Sequence, residues 1–521
     1  FGSRRHSSQA CQIPIPMLRV LITIASLSVA ERFSRHQFRR SSDDFIPDAK
    51  TCVPLENRGS YFSVNVSVGS ETEQFSLVAD TGSNNLIIPS CTCSDHNGCK
   101  HEGERCFRGT NHSKTFRLSL VKATGSDDMV PDQVSITFGS GTIKSMVATD
   151  FVTLGNITVN MSKSLLLMTD DSQLMIEGPF EGILGLGIPG SKIMDGKQRE
   201  SLLVTRDGQN AVMEEQREIL AQVSGKRRPS LFAGVLNRIF DEHSYLEQAG
   251  AQRFSLCFND GHGGGALRVE PQTATKPLSA VGKEHWSLGL SSVQVDGVAL
   301  NFCNPEKMRN GQKTPCAFIP DSGTTMIMGP EPQIMSIYAG LCSKWPRCRA
   351  LLQSEQTHHQ ASVFTDLLTN CSQWLHRSVN GLYELPEIHF GVVGANNATH
   401  DIKLSAWAYV FEGFEQNRKQ KDERWEKICR PAFIPLDYVT PDFGDVWIMG
   451  TPLFYEFEVV YDLQSVPPTM GFNRFKDSTG CAACDEQPSL ISAANNFRNG
   501  HQPRKIWGPP RVPSIDVRQP L

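Results

Sequence analysis

Alternation of apolar and polar positions begins at Tyr61. Phe62, Val64, Val66 and Val68 fall on one side, Tyr61, Ser63 and Asn65 on the other, and Gly69 closes the run. A period of two predicts a half-buried strand ending in a turn. A second apolar run, Phe75, Leu77, Val78 and Ala79, leads into Asp80-Thr81-Gly82-Ser83 and is followed by Leu86-Ile87-Ile88-Pro89. The same order returns later: Ala317, Phe318 and Ile319, then Asp321-Ser322-Gly323-Thr324, then Met326-Ile327-Met328-Gly329-Pro330. Each acid is therefore predicted at a strand-to-loop turn with apolar strand on both sides. Gly in third place lets the chain reverse tightly and brings N–H groups near the carboxylate. One such tripeptide is ordinary turn chemistry; two in matching contexts predict two related lobes that face each other.

Elsewhere the pattern is more local. Val134-Ser135-Ile136-Thr137-Phe138-Gly139-Ser140-Gly141-Thr142-Ile143 reads as two strands around a Gly-rich tip, a β-hairpin. Gly261-His262-Gly263-Gly264-Gly265 lies between two strand-like runs and reads as another hairpin tip, not a phosphate loop. Residues 191–228 are charged; Val212, Ile219, Leu220 and Val223 share a helical face, and the stretch ends at Lys226-Arg227-Arg228 before Pro229. They are expected to form an exposed insertion. The chain thus divides into a first β lobe over 56–252, carrying that insertion, and a second over 253–475. Residues 476–521 lose periodicity and are expected to be a disordered tail.

The start of the chain carries targeting signals. From Met17, Arg19 and the apolar residues 20–29, with Ser28-Val29-Ala30 as small residues, read as a signal peptide over 17–30, and residues 1–16 as upstream sequence. Residues 31–55 are polar and basic and read as a prosegment or flexible leader. No later apolar run is long enough to predict a membrane span in the mature chain. The sequons at Asn111, Asn156, Asn160, Asn370 and Asn397 fit a secretory route, to the outside or to a vacuolar or lysosomal lumen; a further one, at Asn65, falls in the predicted strand. Of 15 Cys, 14 remain once Cys11 is set aside with the leader, an even number that suits an oxidised protein. Cys91, Cys93, Cys99 and Cys106 cluster after the first Asp turn. Disulfides are favoured there over zinc, with the pairing open. Cys481-Ala482-Ala483-Cys484 lacks a βαβ context and reads as structural, not redox-active.

Charge narrows the function. The net charge is −4 across 521 residues, with both signs interspersed, which points to no nucleic acid and no charged membrane surface. The 14 His show no His-Glu-x-x-His spacing, so a metal site and a cofactor are not expected. What remains is the matched pair Asp80 and Asp321. Two carboxylates a few ångströms apart cannot both ionise easily, so they share a proton and suit general acid–base hydrolysis.

These motifs resemble the pepsin-like (A1) family of aspartic proteases over roughly residues 57–475. Phe180-Glu181-Gly182-Ile183-Leu184-Gly185-Leu186-Gly187 and Trp447-Ile448-Met449-Gly450 are similar to the family's paired apolar-apolar-Gly segments, and Val134 to Ile143 to its flap hairpin. Asp321-Ser322-Gly323-Thr324-Thr325 resembles the β-secretase branch, and the Cys-dense loop resembles plant and protist members. The resemblance implies a mainly β, bilobal fold with pseudo-twofold symmetry and a flap over the cleft. It implies Asp80 and Asp321 as the catalytic dyad. It also implies that Ser83 and Thr324 hydrogen-bond the outer carboxylate oxygens, that Thr81 and Ser322 cross-link the turns, and that Gly82 and Gly323 supply N–H donors. Phe138, Gly139, Ser140, Ile87 and Thr325 fall at flap and substrate-binding positions; Phe138 replaces the family's usual Tyr and Ile87 its usual Trp, both losses apolar. Disulfides Cys371–Cys429 and Cys303–Cys316 are implied as well. The function so implied is an aspartic endopeptidase, made as a precursor, acting as a monomer on extended polypeptides. The alternative is an inactive lookalike that binds a polypeptide or protein partner in the same cleft.

Overall fold

The computed structural model describes residues 51–95, 98–101, 105–123, 127–176, 179–189, 243–260, 264–274, 276–355, 359–375, 381–416, 425–475, 481, 484, 503–506, 510–513 and 515. The residues expected to form the upstream stretch (1–16), the signal peptide (17–30), most of the leader (31–55) and the insertion (191–228) lie outside the described residues.

Strand Phe62–Val68 has Val64, Val66 and Val68 fully buried and Asn65 exposed, the alternation its sequence calls for. It pairs antiparallel with Glu73–Asp80, where Phe75, Leu77 and Ala79 face the same core. Both belong to a 16-stranded sheet that also takes in Arg253–Phe258, Gly265–Val269, Phe457–Asp462 and Thr469–Arg474. A separate nine-stranded sheet holds Leu288–Val295, Cys316–Pro320, Ile327–Gly329, Ile388–Val393 and Gly444–Met449. The chain is thus mainly β, the bilobal pepsin-like architecture.

The two sheets repeat one local topology. Glu73–Asp80 runs parallel to Ile183–Gly185, which runs antiparallel to Leu86–Pro89. Cys316–Pro320 runs parallel to Gly444–Met449, which runs antiparallel to Ile327–Gly329. Each carboxylate-bearing turn is therefore clasped by the strand on its far side, and the apolar-apolar-Gly segments supply that strand. Their glycines are required by close passage. A Cβ on Gly185 would lie 2.4 Å from the Asn85 nitrogen, and one on Gly450 would lie 2.3 Å from the Met326 carbonyl.

Among the described residues, the long helices lie in the part of the chain that builds the second sheet. In Glu331–Lys344, Ile334, Ile337, Tyr338 and Leu341 recur at helical spacing and are all buried. Cys342–Cys348 ties that helix to the next, Pro346–Glu355.

Two stretches differ from the sequence expectation. Thr51–Asn57, most of it assigned to the leader, is a strand between Phe62–Val68 and Gly265–Val269. Cys52 is bonded to Cys484. Pro54 obscured the strand, since proline demotes a run that otherwise alternates at Val53 and Leu55. The tail also has structure. Cys481 is bonded to Cys257, Arg504–Lys505 pairs parallel with Val410–Gln416, and Ile515 is fully buried. Isolated anchors of this kind leave no periodic signal.

Candidate active site

Each turn first builds its own carboxylate cradle. The Gly82 N–H donates to Asp80 Oδ1 at 2.9 Å, and the Ser83 hydroxyl donates to Asp80 Oδ2. In the second turn the Gly323 N–H donates to Asp321 Oδ1 at 2.9 Å, and the Thr324 hydroxyl donates to Asp321 Oδ2 at 2.6 Å. The turns then grip each other. Thr81 N–H donates to the Ser322 hydroxyl at 3.0 Å, and Ser322 N–H donates to the Thr81 hydroxyl at 3.0 Å. The same hydroxyls donate onward, Thr81 to the Pro320 carbonyl at 3.0 Å and Ser322 to the Ala79 carbonyl at 2.7 Å. Thr and Ser are suited to this because one hydroxyl can donate and accept at once.

The grip brings the two acids together. A Cβ on Gly82 would lie 2.9 Å from the Asp321 carboxyl, and one on Gly323 would lie 2.3 Å from Asp80 Oδ1. Only a residue without a side chain fits at either place. Both aspartates have 0 % exposure. Burial, and next the charge of Asp80, push the Asp321 carboxyl well above the usual carboxylate range, and the hydrogen bond that protonated Asp321 donates to Asp80 adds to the shift. The pair therefore keeps one proton where isolated aspartates would have lost it.

The other sequence-singled residues fall around this centre. Gln133–Phe138 and Gly141–Thr149 form the antiparallel hairpin, with Gly139 and Ser140 at its tip. Phe138 and Ile87 share one apolar cluster with Val134, Leu174 and Phe180. Thr325 spans the halves: its hydroxyl donates to the Ser60 carbonyl at 2.6 Å. Cys371 pairs with Cys429 and Cys303 with Cys316; in the first loop Cys91 pairs with Cys106 and Cys93 with Cys99. All four thiols of that loop are thus taken up in disulfides, which leaves none for zinc. Asn111, Asn156, Asn160, Asn370 and Asn397 are exposed and scattered, away from the carboxylates in both sequence and sheet. No helix among the described residues is long and apolar enough to cross a membrane.

Sequence reasoning missed Ser60 and Tyr61 as neighbours of the site. Tyr61 stands under the Arg511 guanidinium, 5.0 Å from ring centroid to carbon. Burial, reinforced by Glu181, pushes its hydroxyl up to about 12. A lone aromatic at the head of an alternating strand was the available signal, and it reads equally well as core.

Two gripped Asp turns under mirrored strand clasps define a paired-carboxylate site of the aspartic protease class. Comparison with known proteins agrees. The profile of the eukaryotic aspartyl protease family matches residues 60–222. Pepsin A of Sus scrofa is 22% identical over 465 residues, which cover 87% of this chain and 93% of the pig protein. Cathepsin E of Oryctolagus cuniculus is 22% identical over 402 residues, 77% of each chain. An aspartic proteinase of Oryza sativa subsp. japonica is 29% identical over 280 residues, 53% of this chain and 45% of its own. The chain is thus similar to pepsin-like aspartic proteases along most of its length, and its residues 60–222 carry the match to the family itself.

Proposed function

We propose that the protein is an aspartic endopeptidase in which Asp80 and Asp321 activate a water between them. The observation that carries this reading is the close approach of two fully buried carboxylates on turns that hydrogen-bond each other. The ionised member takes a proton from the water, the water attacks the peptide carbonyl, and the protonated member polarises the carbonyl oxygen. No covalent acyl-enzyme forms, so no nucleophilic Ser or Cys is needed. Ser83 and Thr324 hold the outer oxygens so that the inner ones face the reacting atoms. The hairpin tip at Gly139 and Ser140 acts as the flap, closing over an extended polypeptide, and Thr325 pairs with its backbone. Phe138 and Ile87 seat the flap by apolar contact in place of a hydrogen bond.

The protein would act as a monomer in the secretory pathway, outside the cell or in a vacuolar or lysosomal lumen. Seven disulfides among the described residues support an oxidising compartment. Exposed sequons support glycosylation there.

The test is cleavage of a quenched fluorescent peptide from acid to neutral pH, with Asp80→Asn beside the unaltered chain. The substitution keeps the shape and removes the base, and kcat should fall by about 10²–10⁴. Undiminished hydrolysis by Asp80→Asn would remove the dyad from the mechanism.

A further inference from the structure

Residues 510–513 and 515 run alongside the carboxylate turns in the way a peptide substrate would. The Thr325 N–H donates to the Arg511 carbonyl at 3.1 Å, and the Arg511 N–H donates back to the Thr325 hydroxyl at 2.6 Å. Thr325 lies four positions beyond Asp321. The Arg511 side chain crosses to the other half, where its guanidinium covers Tyr61 and donates to the Pro179 carbonyl. Two residues on, Pro513 is buried beneath the hairpin tip. A Cβ on Gly139 would lie 2.9 Å from the Pro513 carbonyl oxygen. Ile515 then inserts, fully buried, into the apolar cluster of Ala317, Ile319, Met328 and Tyr438. Ile319 is two residues before Asp321. The step from 511 to 515 can span at most about 14 Å, so contacts to residues on either side of Asp321 in the sequence fall within one short stretch of the segment.

We propose that the groove holds this segment of its own chain as a substrate-like ligand, so that the chain blocks itself until the segment is displaced. The inference rests on the peptidase reading of the groove. Its two backbone hydrogen bonds need no particular side chain, which is how an extended peptide is held in a sequence-tolerant groove. The 0 % exposure of both aspartates fits a covered site. The segment is also tethered nearby. Arg504 is buried, donates from Nε to the Trp407 carbonyl at 2.9 Å, and stacks over Tyr455 at 4.0 Å. A tethered ligand is present at an effective concentration on the order of millimolar. If the free segment bound at about 0.1 mM, the groove would be open in about one chain in ten.

The full chain carrying Arg511→Ala and Ile515→Asp tests this against the unaltered chain. The expected result is a KM lower by about tenfold with kcat unchanged, because relief of a competitor changes the open fraction and not the chemistry. An unchanged KM overturns the proposal. Ile515→Asp places a charge in an apolar cluster, so a second measurement uses the unaltered chain. Hydrogen exchange at the Arg511 amide should be slowed at least about tenfold against a free peptide of residues 508–516, and a statine-type peptide inhibitor should abolish that slowing. Exchange as fast as in the free peptide, or slowing that persists with inhibitor bound, overturns the proposal. The two readings fail separately. Slowed exchange without hydrolysis by any variant would remove the peptidase and keep the tethered ligand; hydrolysis with a freely exchanging segment would do the reverse.

Discussion

The two Asp turns are near copies in their hydrogen bonds and differ in what surrounds them. Asp80 and Asp321 each take an N–H from the Gly two positions on and a hydroxyl three positions on. The strand clasps and the reciprocal Thr81–Ser322 bonds match as well; farther along the chain the symmetry stops. After Asp80 the chain goes to Ile87 and the disulfide-bonded loop. After Asp321 it goes to Thr325, which bonds across to Ser60 and to Arg511. The symmetric part sets the chemistry of the carboxylates, and the asymmetric part governs what reaches them.

The largest expected effect comes from filling the space between the turns. Ala at 323 would place a Cβ 2.3 Å from Asp80 Oδ1, against 2.9 Å from the Asp321 carboxyl for Ala at 82. Gly323→Ala should therefore cost about 1–3 kcal/mol of stability and at least about a hundredfold in kcat through displacement of the carboxylate. Gly82→Ala should cost less of both. Denaturant midpoints and peptide cleavage for the pair check the order, and a milder Gly323→Ala would show that the turns are not packed as described.

This near-symmetry was legible because it is local. Asp-Thr-Gly-Ser and Asp-Ser-Gly-Thr announce it, and the apolar runs on either side give the strand direction. The hairpin at Gln133–Phe138 was legible for the same reason. The asymmetric part depends on distant contacts. Nothing near Cys52 names Cys484, 432 residues away. Nothing in Arg511 or Ile515 distinguishes a docked segment from a solvated tail, because both are held by residues distant in the sequence and the short run around them, Arg-Val-Pro-Ser-Ile-Asp-Val, shows no sustained period. The 371–429 and 303–316 disulfides came from family resemblance, not from pattern.

The next prediction sharpens the comparison through titration. The Asp321 carboxyl is raised by burial and then by Asp80, so over part of the pH range the folded chain holds a proton that the unfolded chain has released. Stability from this source is complete below the ordinary carboxylate pKa and is lost as pH rises through the raised value. The slope can reach about 1.4 kcal/mol per pH unit. Asp321→Asn should flatten that loss and be the more stable chain near neutral pH, while losing activity. Urea midpoints from about pH 4 to 7 measure it. Equal slopes for the two chains would mean that the carboxylates do not share a proton.

The smallest effect lies at the hairpin of the first half. Phe138 is buried with Ile87, Val134 and Leu174, all apolar, so a Tyr hydroxyl there would face apolar side chains. Phe138→Tyr should cost about 1 kcal/mol of stability, since a buried donor loses its water without gaining a partner. Its effect on kcat/KM should stay under about tenfold, because one decade corresponds to about 1.4 kcal/mol and the carboxylate cradles are untouched. Thermal midpoints and steady-state kinetics on one peptide separate the two quantities. A Tyr chain more stable than the Phe chain would mean that its hydroxyl finds a partner, and the apolar seating of the hairpin would have to be given up.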